Sequence, residues 1–445
     1  MYKLDDKIDR FKNIINSAQI INQTGVVTRV VGIVIEATGP ALRVGDQVTI
    51  STGKGAVPGE VVGFRDGHIF IMPLGEMVGI GPGALVSAEG KPLIARVGQE
   101  LLGRVLNGLG NPIDGGPPLL CREIRTFENQ SPPPMQRRRI VEPLYTGIRA
   151  IDCFLTIGTG QRIAILAGSG VGKSVLMGMI ARSSSADVNV IGLIGERGRE
   201  VKDFMEKDLG QEGLKKSVVV TVTSDESPLL RIKGIMLATT IAEYFREQGK
   251  NVALLVDSLT RVAMGQREIG LSIGEPPTTR GYTPSVFAIL PRILERAGQS
   301  QNGSITGFYT VLVEGDDFTE PISDSVKAIL DGHIVLSRKM ASKNQYPAID
   351  VLESISRLMP DVTTREHQEL AVRCRQILAD YRDAEDLINI GAYVKGSSPK
   401  IDFALERIDK LNAFLRQHID DRADFSQSIA FLKDLLNNGN TNEKA

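Results

Sequence analysis

The chain of 445 residues has little of four things. Cysteine is the first: Cys121, Cys153 and Cys374 stand far apart and odd in number. They exclude a disulfide framework and a cysteine-based zinc site and suit a reducing compartment. Histidine is the second, and the four present (His68, His333, His367, His418) include no pair at metal-ligand spacing. Net charge is the third. Lys and Arg number 52 against 53 Asp and Glu, so no global basic field recommends nucleic acid or anionic lipid. Long apolar runs are the fourth. None approaches the roughly 18 residues of a bilayer span, and "IMPLGEMVGIGPGALV" is broken by Glu76 and several glycines. The opening "MYKLDDKIDRFKNII" mixes acids with bases and has no apolar core, unlike a signal peptide. The expectation is a cytoplasmic chain that reaches a membrane only through partners.

What is present is an ordinary globular composition, 42% hydrophobic and 24% charged, with length for about three domains. Residues 1–23 carry Leu4, Ile8, Phe11, Ile15 and Ala18 at spacings of three and four, an amphipathic helix. Such a helix either packs on its own domain or serves as a partner-binding arm. Residues 24–92 are short β runs divided by Gly and Pro, which predicts a small β-barrel. Residues 93–360 alternate near-continuous apolar strands with helical patterns between about Tyr145 and Arg357, which predicts an α/β core with a parallel sheet covered on both faces. Ahead of it, "RTFENQSPPPMQRRRIVEPL" reads as a connector with Arg137–Arg139 as a solvated loop. Residues 361–445 lose strand signals and become helical throughout.

The densest chemistry lies in "IAILAGSGVGKSVLMGMI", a strand, a glycine-rich loop and a helix. Ala167, Gly168, Ser169, Gly170, Val171, Gly172, Lys173, Ser174 and Val175 form a phosphate loop with Ala at the turn position where Gly is usual. Backbone N–H groups released by the glycines close around phosphate oxygens, and the helix start adds its positive dipole end. Lys173 then meets the β- and γ-phosphates of ATP, and the Ser174 hydroxyl ligates Mg²⁺. In "NVALLVDSLTR" an apolar strand ends in Asp257, a second candidate for the Mg²⁺. In "VNVIGLIGERGRE" the next strand after the loop's own helix ends in Glu196. From spacing alone Glu196 is either a general base for water or one member of a strand-end ion-pair cluster with Arg197 and Arg199.

Beyond these, "PLYTGIRAID", "IGERGRE" and "QREIGLSIGEPPTTRGYTPSVFAILPRILERAG" resemble the core of the rotary-type hexameric ATPases, and "AGSGVGKS" with "RGYTPSVFA" is closer to their flagellar and type III secretion export branch. The resemblance covers nearly the whole chain. It implies a RecA-like P-loop core between the barrel and the helical domain, and ATP hydrolysis with Glu196 as the carboxylate and Arg197 beside the γ-phosphate. It also implies Tyr346 of "YPAIDVLESISRL" stacked on adenine, and Arg357 delivered as a finger into a neighbouring subunit's site. "AMGQREIGLSIGEPPTTRGYTP" reads as a loop too long and polar for a simple connection; its Gly-Glu-Pro-Pro centre resembles the segment that faces the central channel in that family, with Gln266, Arg267 and Arg280 as candidates there. The implied partners are identical copies in a hexamer, a stator-like regulator on the N-terminal helix, a central stalk-like protein, export chaperones and substrates, and an export gate at the inner face of the membrane. Two other readings compete. An F-type β subunit lacks support because "EDLINIGAYVKGSSPKID" stands where its acidic lever belongs. A nucleic-acid translocase needs a basic, aromatic barrel groove, and this barrel offers Phe64, Phe70 and few bases, so no nucleic acid is expected.

Overall fold

The computed structural model describes residues 24–437 apart from 54, 90, 314 and 316, and the helix expected over residues 1–23 lies outside them. The described residues divide into two compact units, one running to Leu93 and taking in Ser272–Gly274, the other Ile94–Leu271 with Glu275 onward.

In the first unit the strands Thr24–Val31, Val34–Thr38, His68–Pro73, Gly55–Arg65, Gln47–Thr52 and Leu85–Ala88 close in that spatial order into an antiparallel barrel. Alternation directs Val27, Ile35, Ala37, Val48, Ile50, Val61, Ile69, Ile71 and Val86 inward. Closure leaves no sheet edge for unwanted pairing.

The second unit is built on a sheet whose main path runs Ile349–Ser356, Gly332–Leu336, Arg162–Ala167, Ser304–Leu312, Asn251–Asp257, Val188–Glu196, Ser217–Thr223, Val105–Asn107. Its central strands are mostly apolar and buried almost throughout because helices cover both faces. From Val188 to Gly195 each residue is buried, and Glu196 is the first to emerge. The helix Pro228–Glu247 packs on four of these strands, Val188–Glu196, Asn251–Asp257, Ser217–Thr223 and Ser304–Leu312. Each Val, Ile or Leu side chain so buried is worth roughly 1.5–3 kcal/mol.

Two features depart from the wholly parallel sheet expected between Tyr145 and Arg357. Val105–Asn107 joins one edge from further upstream. At the other edge Ile349–Ser356 runs antiparallel to Gly332–Leu336, because the connection through the short helix Arg338–Ser342 turns back instead of crossing the sheet. The consequence is positional. Ala167, Glu196, Asp257 and Leu312 end at one edge of the sheet, whereas Ser356 pairs with Gly332 and ends at the opposite edge.

Two local readings are corrected. Arg137 is no solvated side chain: it is largely buried and donates to the carbonyls of Ala297 and Glu295, while Arg139 is exposed and pairs with Asp361 at 2.9 Å. The polar stretch after Ala263 is not loop from its start, since the helix Leu259–Ser272 carries Gln266 and Arg267. Its buried face, with Val262, Gly265 and Ile269 at helical spacing, is what holds it. The tail is helical as expected, in Arg365–Asn389, Pro399–Leu415 and Phe425–Asn437. Among the described residues no helix is long and apolar enough to cross a membrane.

Candidate active site

The strand Arg162–Ala167 leaves the sheet through Gly168–Gly172 and enters the helix Lys173–Ser183. Gly172 takes φ +93°, a left-handed conformation that lets the chain reverse into the helix at no side-chain cost. The first N–H groups of that helix have no intrahelical partner and face a cavity of about 930 Å³, within the range of small-molecule sites. Gly168, Ser169, Gly170, Gly172, Lys173, Ser174 and Val175 line it. Ala167 and Val171 are buried behind the loop and offer only backbone.

Two acid-tipped strands meet Lys173 here. Asp257, 2% exposed, accepts hydrogen bonds from Lys173 Nζ and from Thr310 Oγ1 at 2.8 Å. Glu196 reaches the same ammonium less closely, with Nζ 3.5 Å from Oε1. That Oε1 is fully buried and accepts no hydrogen bond. Its aim is set one residue earlier. Gly195 has φ +75°, a Cβ there would stand 2.7 Å from Arg261 Cβ, and the strand register shifts between Ile194 and Glu196. This local bulge turns the carboxylate out of the sheet.

Two carboxylates thus share one ammonium, which sets the protonation of Lys173 and Glu196. Burial opposes the charge on Lys173, but Asp257 and Glu196 together outweigh it and raise its pKa. Glu196 is pushed up to about 7, first by burial and then by the Asp257 charge, against the lowering effect of Lys173. A buried carboxylate with an unoccupied oxygen and a pKa near neutrality can take a proton from water.

Arg197 lines the mouth of the cavity, exposed and 3.6 Å from Glu200. Tyr346 stands at the helix end of the loop, its ring carbons 3.7 Å from where a Cβ on Gly172 would be, and it is 42% exposed. Arg267 and Arg280 line the cavity; Gln266 does not. Arg357 is not brought to this site. It follows the antiparallel strand and lies at the far edge of the sheet, across the six-residue strand Arg162–Ala167, a span of roughly 17–20 Å. Sequence reasoning passed over Arg261 and Arg338, which also line the cavity. Arg261 carries a buried Nε without a hydrogen-bond partner. The available signal was a cation in the first turn of the helix that follows the Asp257 strand.

Comparison with known proteins matches most of the chain. Residues 147–356 match the ATP synthase alpha/beta family, nucleotide-binding domain, and residues 27–90 the beta-barrel domain of that family. Residues 363–434 match the T3SS EscN ATPase C-terminal domain. The flagellum-specific ATP synthase of Bacillus subtilis (strain 168) is 54% identical over 420 residues, covering 93% of this chain and 95% of that one. Among solved structures, the assembled ATPase EscN from the enteropathogenic E. coli type III secretion system aligns with TM-score 0.88 and 43% identity, over 93% of this chain and all of that one. The same ATPase in complex with its central stalk EscO aligns with TM-score 0.85 and 42% identity over 93% of this chain and 100% of that chain.

Proposed function

This chain is an ATP-hydrolysing member of the flagellar and type III secretion export ATPase family, and from that premise we propose that it serves flagellar export as a hexamer of identical copies. The observation that carries the ring is the placement of Arg357. One copy holds its phosphate loop and Arg357 on opposite edges of one sheet, so a site containing both needs a second copy. Identity to the flagellum-specific relative is 54%, against 48% for a type 3 secretion system ATPase, which favours the flagellar branch.

In this reading the backbone N–H groups from Gly168 to Val175 hold the phosphates, and Lys173 exchanges Asp257 and Glu196 for the β- and γ-phosphates. Glu196 then stands without its ammonium, orients the attacking water and accepts its proton. Arg197 from the same copy and Arg357 from the neighbour neutralise charge that develops on the transferred group. Tyr346 stacks on adenine. Ser174, which lines the cavity, and Asp257, buried and bonded to Lys173 beside it, fit Mg²⁺ as hard oxygen donors. When bound there, the ion supplies charge neutralisation on the phosphate oxygens. The domain limits are 24–92, 93–360 and 361–445, with residues 1–23 as an arm for a stator-like regulator. A central stalk, as EscN has in EscO, export chaperones with their substrates, and a gate at the inner membrane face complete the partners.

Two measurements test this. Specific ATPase activity is expected to rise with protein concentration, because a dilute copy lacks the neighbour's Arg357; activity independent of concentration across the assembly range contradicts the shared site. Affinity purification from a flagellated cell is expected to recover flagellar export components, and recovery of needle-complex components instead assigns the virulence branch.

The protonation of Glu196 gives a further expected result. A base must be deprotonated, and the folded pKa lies near 7, so kcat/KM at saturating magnesium should rise with pH to about 7 and level off above it. The rise should be about tenfold per pH unit on the acid side. A flat profile through that range removes Glu196 as the base.

A further inference from the structure

Arg357 is held by two carbonyls and a buried polar network beneath them. Its backbone N–H donates to the Asp331 carbonyl at 3.0 Å, and its Nη2 donates to the Lys327 carbonyl at 3.3 Å. The preceding residue, Ser356, is buried; its hydroxyl donates to the Thr156 carbonyl at 2.8 Å and accepts from Gln161 Nε2 at 3.1 Å. The same Nε2 donates to the Asp331 carbonyl at 3.1 Å, and Gln161 Oε1 accepts from the Gly158 N–H at 2.8 Å. The Asp331 carboxylate accepts from Arg162 through its backbone N–H, Nε and Nη2 at 3.1, 3.2 and 3.3 Å.

Gln161 is wholly buried. Burying an amide is unfavourable unless its donors and acceptors are met, and an apolar side chain of equal volume would pack as well. The amide nitrogen is satisfied by the Asp331 carbonyl and the Ser356 hydroxyl, the groups beside Arg357, so what it contributes there is geometry. Arg162 begins the strand that ends in the phosphate loop, and Gln161 directly precedes it. That strand is paired in parallel on both sides, with Ser304–Leu312 and Gly332–Leu336, so it does not shift alone.

The geometry assigns Gln161, with Ser356 and Asp331, as positioning residues that set where one copy's Arg357 stands in the neighbouring copy's site. This rests on the reading that Arg357 is lent to a neighbour. Gln161→Met keeps the length of the side chain and loses the amide; Ser356→Ala removes one hydroxyl and is the milder change.

Each variant is tested for nucleotide affinity, for turnover alone, and for turnover after mixing with Lys173→Ala protein, which has a disabled loop and an intact Arg357. Arg357→Ala mixed with Lys173→Ala is the reference. The expected result is nucleotide affinity within about twofold of the parent and turnover lowered about tenfold, since an ångström of misplacement in a reacting group costs between ten- and a hundredfold. Mixing should restore turnover, because the intact loop of the variant then meets an intact Arg357. If the reference is rescued but the Gln161→Met and Ser356→Ala proteins are not, or if they lose nucleotide affinity, these residues serve their own copy's loop and the assignment is overturned. If the reference itself is not rescued, the shared-site reading fails first. Should Gln161→Met fail to assemble, Ser356→Ala decides alone.

Discussion

Lys173→Ala is expected to remove ATP turnover, by ~10³-fold or to below detection, while the protein still folds and melts cooperatively. The side chain ends between Asp257 and Glu196. Its loss therefore acts on charge. Two buried carboxylates remain without their ammonium, and the γ-phosphate meets negative charge where it now meets positive. Glu196, whose pKa is already raised to about 7, can relieve part of this by binding a proton, which preserves the fold but does not restore a phosphate site. Steady-state hydrolysis and thermal melting of the same preparation check both halves. Turnover within tenfold of the parent contradicts the assignment of the loop.

Glu196→Gln is expected to separate binding from chemistry. The amide keeps the shape and can still face Lys173, but it cannot accept the proton of water, so hydrolysis should fall by ~10²-fold or more with ATP affinity retained. The same change should alter how stability depends on pH. The folded pKa of Glu196 is raised above its unfolded value, so between the two values the folded state holds the proton more tightly. Stability from this group is present at low pH and is lost as pH rises through about 7. Glutamine has no such loss, and the variant should melt higher than the parent on the alkaline side. Loss of nucleotide affinity would instead mark Glu196 as a structural acid.

The parts of this site that the sequence displayed are those carried by contiguous pattern. A glycine-rich loop between a strand and a helix is a local object, and Gly168–Ser174 could be read directly. Glu196 and Asp257 were visible as acids closing apolar runs, because a buried strand ends where the first charge appears. Arg261 and Arg338 were not visible. They come from a helix start and a returning connection, and only the folded sheet edge brings them to one cavity. The placement of Arg357 depended on the direction of one edge strand. An apolar run reads the same in either direction, and reversal of Ile349–Ser356 moves its end from one side of the sheet to the other. Arg137 misled for the opposite reason. A run of three arginines looks solvated, yet two backbone carbonyls from residues far along the chain accept its guanidinium.

The claim on which the rest depends is that one working site takes its loop from one copy and its arginine from the next. Mixing Arg357→Ala with Lys173→Ala protein measures it most directly. Each variant alone should be nearly inactive, one for want of the arginine and the other for want of the loop. Mixed rings contain interfaces with an intact Lys173 on one side and an intact Arg357 on the other, so ATP turnover should return to a substantial fraction of the parent rate. Rings shown to contain both variants but no more active than either alone would contradict the account.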